Sequence, residues 1–370
     1  MKKILYYLVA AILLLQACSS QATPTTPAPS IDATEAQVIT VEPASSPIPA
    51  ATDAVVATAV SVPTDSVAHE TIPGEGTSDR ATAHDNDNAI SYETKVVRSG
   101  DEFFRNRFER PFTANDMQYL PDLDIVNFSI TSDDTFFYIK ISFVGLDAAT
   151  QSLTGSYAVE IDRNADGRAE ILLATKPPYT QEFSPDNVMV YLDLNSNVGG
   201  SKINRHDDFP GDGFEADIFD MSKNIYPEGD PDLAWVRQTT DGSLPAIEIA
   251  YKKWIFKDGK ENFMWSVDSS ATQIDPTKLY FQDAFTAEEA GAANSEDANY
   301  PIKALSAMDN TCRVPFGFNA TGNEPLGCFV GTSDSEKQSD PSSEGPNSTC
   351  GQFGELCNRT QGRLVILSTQ

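Results

Sequence analysis

Between residues 124 and 143 apolar and polar side chains alternate with a period of two, as strands buried on one face do. Val126, Phe128 and Ile130 fall on one face of the first run, the turn Ser132-Asp133-Asp134 follows, and Phe137, Ile139, Ile141 and Phe143 repeat the pattern. This predicts a hairpin. Further short strand-like runs lie at 157–161, 169–175, 188–194, 214–219, 234–238, 246–251 and 263–267, and only 251–256 and 286–293 carry a short helical pattern. Many short strands with Gly, Asp, Asn and Pro between them predict an all-β fold, an antiparallel β-sandwich over residues 91–310. A domain of that size buries a substantial core.

The N-terminal quarter has no such pattern. Residues 4–15 are apolar throughout behind Lys2 and Lys3, and Leu15-Gln16-Ala17-Cys18 closes the run. This is the arrangement of a bacterial lipoprotein signal, with residues 1–17 removed and Cys18 lipidated. Roughly 12 apolar residues fall short of the ~20 that a spanning helix needs. The expected location is extracytoplasmic, at the cell surface, with the N-terminal lipid as the contact with a bacterial membrane. Residues 18–90 are rich in Ala, Thr, Pro, Ser and Val and contain no Phe, Tyr or Trp, so they lack the apolar bulk that offsets backbone ordering. They read as a disordered tether, in which the valine-rich patch 55–62 also fits a short strand. As flexible coil, ~70 residues span roughly 45 Å, enough to lift a domain clear of a membrane.

A net charge of −28 argues against phosphate backbones and anionic head groups as partners, so no nucleic acid is expected. Five cysteines are present, and assigning Cys18 to the lipid leaves Cys312, Cys328, Cys350 and Cys357 in a small C-terminal tail, residues 311–370. Two disulfides are expected there. Pairing Cys312 with Cys328 and Cys350 with Cys357 closes the smallest loops, although four cysteines allow three connectivities. Zinc fits less well, because the exterior is oxidising and the spacings are not those of Cys-x-x-Cys pairs. The stretch 332–349, rich in Ser, Asp, Glu, Pro and Gly, reads as a flexible loop within this tail.

The sharpest chemical motif is Asp162-Arg163-Asn164-Ala165-Asp166-Gly167-Arg168-Ala169-Glu170. Asp162, Asn164 and Asp166 alternate ahead of a glycine, the Arg168 carbonyl can add a ligand and Glu170 can complete the shell, a set of hard oxygens suited to structural calcium. Strand-like flanks make it a hairpin connection, unlike an EF-hand; the competing reading is an Asp/Asn/Gly turn with no ion. Asp193, Asn195 and Asn197 form a weaker second candidate ahead of Gly199 and Gly200, followed by the acids Asp207, Asp208, Asp212, Glu215 and Asp217. His69 and His84 fall in the tether, which leaves His206 as the one histidine of the predicted sandwich, without a Gly-x-Ser-x-Gly or His-Glu-x-x-His motif. No catalytic residue is assigned. Trp235, Trp254 and Trp265 are candidate ligand-binding residues, since sugars lay their C–H faces on aromatic rings, and core packing is the alternative for each.

The alternating hairpin with its Asp-Asp turn, the run Tyr157-Ala158-Val159-Glu160-Ile161-Asp162 leading into the Asp/Asn/Gly loop, and the later Ile247-Glu248-Ile249-Ala250 resemble family-nine carbohydrate-binding modules and DOMON-like sandwiches. The likeness covers residues 91–284. It implies a jelly-roll-like sandwich, structural calcium, and sugar or haem on one face. The sequence departs from it in lacking a recognisable tryptophan pair and, with His206 alone, a Met and His ligand set for haem. Asp309-Asn310-Thr311-Cys312-Arg313, with Thr321-Gly322-Asn323-Glu324-Pro325 and Cys328, is similar to the endings of uncharacterised surface lipoproteins of filamentous Chloroflexi-type bacteria. The expectation is a lipid-anchored binding protein with carbohydrate as the leading ligand. A structural or adhesive surface protein is the alternative, and a glycoside hydrolase, which needs only two well-placed carboxylates, ranks third.

Overall fold

The computed structural model describes residues 67–96, 100–206, 209–256, 259–292 and 304–329. Cys18, the patch 55–62, Asp207, Asp208, the loop 332–349, Cys350 and Cys357 lie outside the described residues. In chain order the strands are β1 (Ser78–His84), β2 (Glu109–Arg110), β3 (Ile125–Ser132), β4 (Phe136–Phe143), β5 (Ser156–Asp162), β6 (Ile171–Thr175) and β7 (Val188–Leu192). They continue with β8 (Ala216–Asp220), β9 (Ala234–Asp241), β10 (Leu244–Lys252), β11 (Phe263–Ser270), β12 (Met308–Asn310) and β13 (Val314–Phe316).

Strands β1-β3-β4-β10-β9 form one antiparallel sheet and β2-β12-β11-β5-β6-β7-β8 the other, with β13 also paired to β11. The two sheets enclose one core, as the alternation predicts. Phe128, Ile139, Ile141, Phe143, Ile247 and Ile249 meet Tyr157, Val159, Ile161, Leu173, Val190, Trp265 and Val267 across it. Aromatic edges join the sheets directly: Phe128 meets Trp265 at 5.1 Å and Phe143 meets Tyr157 at 4.5 Å between ring centroids.

The β3–β4 hairpin forms, but its first face is offset from the alternation. The register shifts between Ile125 and Asn127, a bulge, so Ile125, Phe128 and Ile130 are buried while Val126 is only half-buried. The stretch expected to be helical at 251–256 begins in β10 and then makes only the 3-10 turn Lys253–Ile255. Residues 286–291 form hydrogen-bonded turns, such as Ala290 N to Thr286 O at 2.9 Å, rather than a helix. Short helices occur instead at α1 (Ala89–Thr94) and α2 (Phe281–Ala284).

Residues 67–90, assigned by composition to the tether, belong to the folded part. Strand β1 pairs with β3, and the carboxylate of Asp232 receives His69 Nδ1 at 2.7 Å and the backbone N–H groups of Glu70 and Thr71 at 2.8 Å. Hydrogen bonds rather than apolar bulk hold this segment, so its hydrophobic pattern carries no sign of it. Residues 311–328, assigned to a separate tail, are likewise part of the sandwich. β12 and β13 pair with the two halves of β11, Asp268–Ser270 and Phe263–Trp265. Between them Cys312 bonds to Cys328.

Replacing Cys312 and Cys328 with alanine is expected to lower the unfolding free energy by about 3 kcal/mol, as for other loops of this length. Urea unfolding of the double variant checks this. An unchanged midpoint would mean that strand pairing alone holds the segment.

Candidate metal centre

The loop that joins β5 to β6 is closed by the pair Ile161 and Ile171 and by Glu170 N donating to Ile161 O at 3.0 Å. Its interior is a chain of side-chain caps. Asn164 Oδ1 accepts from Asp166 N at 2.8 Å, Asp166 Oδ1 from Arg168 N at 2.9 Å and Glu170 Oε2 from Arg163 N at 2.7 Å. Gly167 has a φ of 94°, and a Cβ there would lie 2.5 Å from Pro325 and 2.9 Å from Ile203, so both its backbone conformation and its packing require glycine.

One oxygen from each of Asp162, Asp166 and Glu170 lies within 4.8 Å of the others. That spacing fits one ion, because oxygens at ~2.4 Å from calcium sit at most roughly 4.8 Å apart. Asp162 is fully buried; its Oδ2 accepts from Gly167 N at 2.8 Å and Arg313 Nη1 at 3.0 Å, while its Oδ1 has no partner. A buried carboxylate oxygen without a partner is costly, and a hard cation bound there would supply the missing one. Burial, opposed mainly by the Arg313 charge, pushes the Asp162 carboxyl up. The Glu170 carboxyl is pushed up to about 7, first by burial and then by the charges of Asp162 and Asp166. The donors are all hard oxygens, and the group fits calcium.

The other residues of the motif hold the loop. Asn164 Nδ2 donates to Glu170 Oε1 at 2.8 Å, and the Arg168 guanidinium donates to Val198 O at 2.6 Å. Behind the loop, on the outer face of β5, Arg313 forks across two carboxylates: Nη1 to Asp162 Oδ2 at 3.0 Å and Nη2 to Glu160 Oε2 at 2.7 Å. It also donates to the Tyr280 hydroxyl, which in turn accepts from Ala169 N. Arg313 and Tyr280 escaped the sequence reading. The only signal was a lone arginine between Cys312 and the apolar run Val314-Pro315-Phe316.

Asp193, Asn195 and Asn197 are arranged differently. Asp193 Oδ1 accepts from Asn195 N and Ser196 N, its Oδ2 accepts from Val198 N, and Asn195 and Asn197 bond to Asp212. Both Asp193 oxygens thus have partners, and the loop closes on itself as an Asx turn. Asp217 pairs with Lys223 at 2.6 Å, Glu215 accepts from Leu194 N, and His206 is exposed.

The three tryptophans do not share a surface. Trp265 is fully buried between the sheets. Trp235 packs with Phe136 and Tyr138 on the outer face of the five-stranded sheet, with His69 at 5.0 Å over its edge and its Nε1 donating to Asp232 O at 3.1 Å. Trp254 is half-buried at the core margin, with Nε1 donating to Asp230 Oδ2 at 2.9 Å. A pocket of about 190 Å³ beside Asp268, Ile274, Leu279 and Phe281 contains none of them. It is smaller than the roughly 300–1,000 Å³ usual for small-molecule sites.

Fold and site together define an antiparallel β-sandwich with an acidic, oxygen-lined hairpin loop. Comparison with protein-family models, with curated proteins and with solved structures finds no match.

Replacing Arg313 with methionine is expected to cost about 3–5 kcal/mol of unfolding free energy, because Glu160 and Asp162 stay buried without their partner. Arg313→Lys should recover little of this, since an ammonium cannot span both carboxylates as the planar fork does. Urea unfolding of the two variants measures both effects.

Proposed function

We propose that this protein is a calcium-stabilised β-sandwich held outside the cytoplasm by a lipid on Cys18, where it acts as a non-catalytic structural or adhesive surface domain. The observation that carries the calcium part is the unpartnered, fully buried Oδ1 of Asp162 within a cluster of three carboxylates. Calcium there fastens the β5–β6 hairpin to the Arg313 segment. The location rests on the sequence alone, on the apolar run ending at Leu15-Gln16-Ala17-Cys18.

The burial of Trp265 and Trp235 favours the structural reading over carbohydrate binding, because rings sealed in two separate layers cannot form a sugar platform. Two histidines are also engaged structurally, His69 with Asp232 and His84 with Asn127. A surface that meets another macromolecule needs a rigid scaffold more than a deep pocket, and this fold supplies one.

Thermal unfolding of the mature chain with calcium, with chelator and with a panel of soluble glycans tests the reading. Calcium at a hundredfold excess over its dissociation constant stabilises by about 2.7 kcal/mol, so the melting temperature should rise, with no response to glycans. Asp162→Asn combined with Asp166→Asn should bind one calcium ion fewer than the wild type and show a smaller rise. No calcium response would remove the metal from the account, and a glycan response lost in Trp254→Ala would replace it with carbohydrate binding.

A further inference from the structure

The segment closed by the Cys312–Cys328 disulfide touches the acidic β5–β6 loop at both of its ends. At the Cys312 end, Arg313 Nη1 donates to Asp162 Oδ2 at 3.0 Å. At the Cys328 end, Pro325 backs Gly167 so closely that a Cβ on that glycine would lie 2.5 Å from it, and Leu326 packs in one cluster with Ala169. Gly167 N is the other donor to Asp162 Oδ2, at 2.8 Å. Both groups that fix the direction of the Asp162 carboxylate, and with it the unpartnered Oδ1, are therefore set by the disulfide-closed segment.

The two ends are not held equally. Cys312 lies between β12 and β13, both of which pair with β11. Residues 325–328 belong to no strand. Apart from the packing of Leu326, they are tied down by Arg313 N donating to Leu326 O at 3.0 Å, by Cys328 N donating to Arg313 O at 2.8 Å and by the Arg105 guanidinium on Gly327 O. Opening the disulfide thus loosens the Pro325 end and leaves β12 and β13 in place. The bond lies near the surface: each cysteine is 7 % exposed, and Phe329, next to Cys328, is exposed.

We propose that the Cys312–Cys328 disulfide is a redox switch on the calcium affinity of the β5–β6 loop. The oxidised segment holds Pro325 against Gly167 and Arg313 on Asp162; reduction releases the Pro325 end and weakens the site. This rests on the calcium reading of Asp162, Asp166 and Glu170. In the reducing step the thiolate of a dithiol attacks one sulfur of the bond, and the second thiol of the reductant then closes a cyclic disulfide. Cys312 and Cys328 leave as two thiols, with both electrons and both protons supplied by the dithiol. The coupling is reciprocal: the factor that the disulfide adds to calcium affinity is the factor that calcium adds to the disulfide's resistance to reduction. Contacts that orient metal ligands from behind are worth roughly 10–100-fold in affinity. Disulfides persist outside the reducing cytoplasm, so the loop would gain its full affinity only after export.

Calorimetric titration with calcium tests the switch on the mature chain. It compares the oxidised wild type with Cys312→Ser combined with Cys328→Ser, and with Cys350→Ser combined with Cys357→Ser. The first pair should weaken binding about tenfold or more, and the second should leave it unchanged. If the first pair does not fold, the wild type supplies the measurement: the ratio of dithiol to cyclic disulfide that half-reduces Cys312–Cys328, read from the masses of alkylated peptides. That ratio should be about tenfold higher in saturating calcium than in chelator, a potential about 30 mV more negative. Equal or tighter binding in the Cys312 and Cys328 variant, or a half-point that calcium does not move, overturns the switch and leaves the calcium site standing. An oxidised wild type that binds no calcium overturns the switch together with the site.

Discussion

The guanidinium of Arg313 is the interaction on which the rest of the arrangement depends. It is buried, and its two ends hold Glu160 and Asp162, alternate residues on one face of β5. Through Asp162 it reaches the acidic loop, and through its own backbone it lies between β12 and β13, which close the free edge of β11. Arg313 N donates to Leu326 O, and Cys328 N donates to Arg313 O beside the disulfide. A buried ion pair contributes less net stability than its Coulomb energy suggests, but removing one partner leaves a charge without compensation. The pair therefore acts as a constraint: β5 and the β12–β13 segment are held in one relative position.

An acidic chain normally keeps its carboxylates in water, and this one buries many of them. They fall into two classes. Asp232, Asp193 and Asp101 have partners on both oxygens or a full ion pair, and they tie loops or the entering segment to the sheets. Asp162, Asp124 and Asp309 are anchored at one oxygen and left without a partner at the other. The first class performs the structural work that backbone caps do elsewhere. Of the second class, Asp162 shares a group of carboxylate oxygens within 4.8 Å of one another, the arrangement on which the calcium proposal rests.

The aromatic side chains show why a sandwich of this kind hides its rings. Both sheets carry a second, outer layer: Phe136, Tyr138 and Trp235 lie on the outer face of the five-stranded sheet, and Ala158, Leu172, Met189, Phe214 and Tyr280 lie outside the other. Loops and the 67–74 segment cover these layers, with Gly74 N donating to the Tyr138 hydroxyl. Every residue of β5 and β6 is buried as a result.

Local pattern in the sequence was enough to determine the strands from β3 to β11, the all-β class and the oxygen-rich β5–β6 loop, because period-two alternation and Asp/Asn/Gly spacing are properties of neighbouring residues; loop length favoured the Cys312–Cys328 pairing without choosing it among three connectivities. It also placed the β3–β4 hairpin, though not the bulge that moved Val126 out of the core, since a bulge is decided by the register with the partner strand. Only the tertiary structure decided that residues 67–90 and 311–328 belong to the sandwich, as they attach through the pairing of β1 with β3 and of β13 with β11, through Asp232 and through Arg313, all between residues far apart in the chain. It also decided which carboxylates meet. Glu109 and Asp309 carry no shared spacing, and they face each other through strand pairing between segments about 200 residues apart. Charge and composition count such residues without showing which are taken out of water, and that is what sets their chemistry.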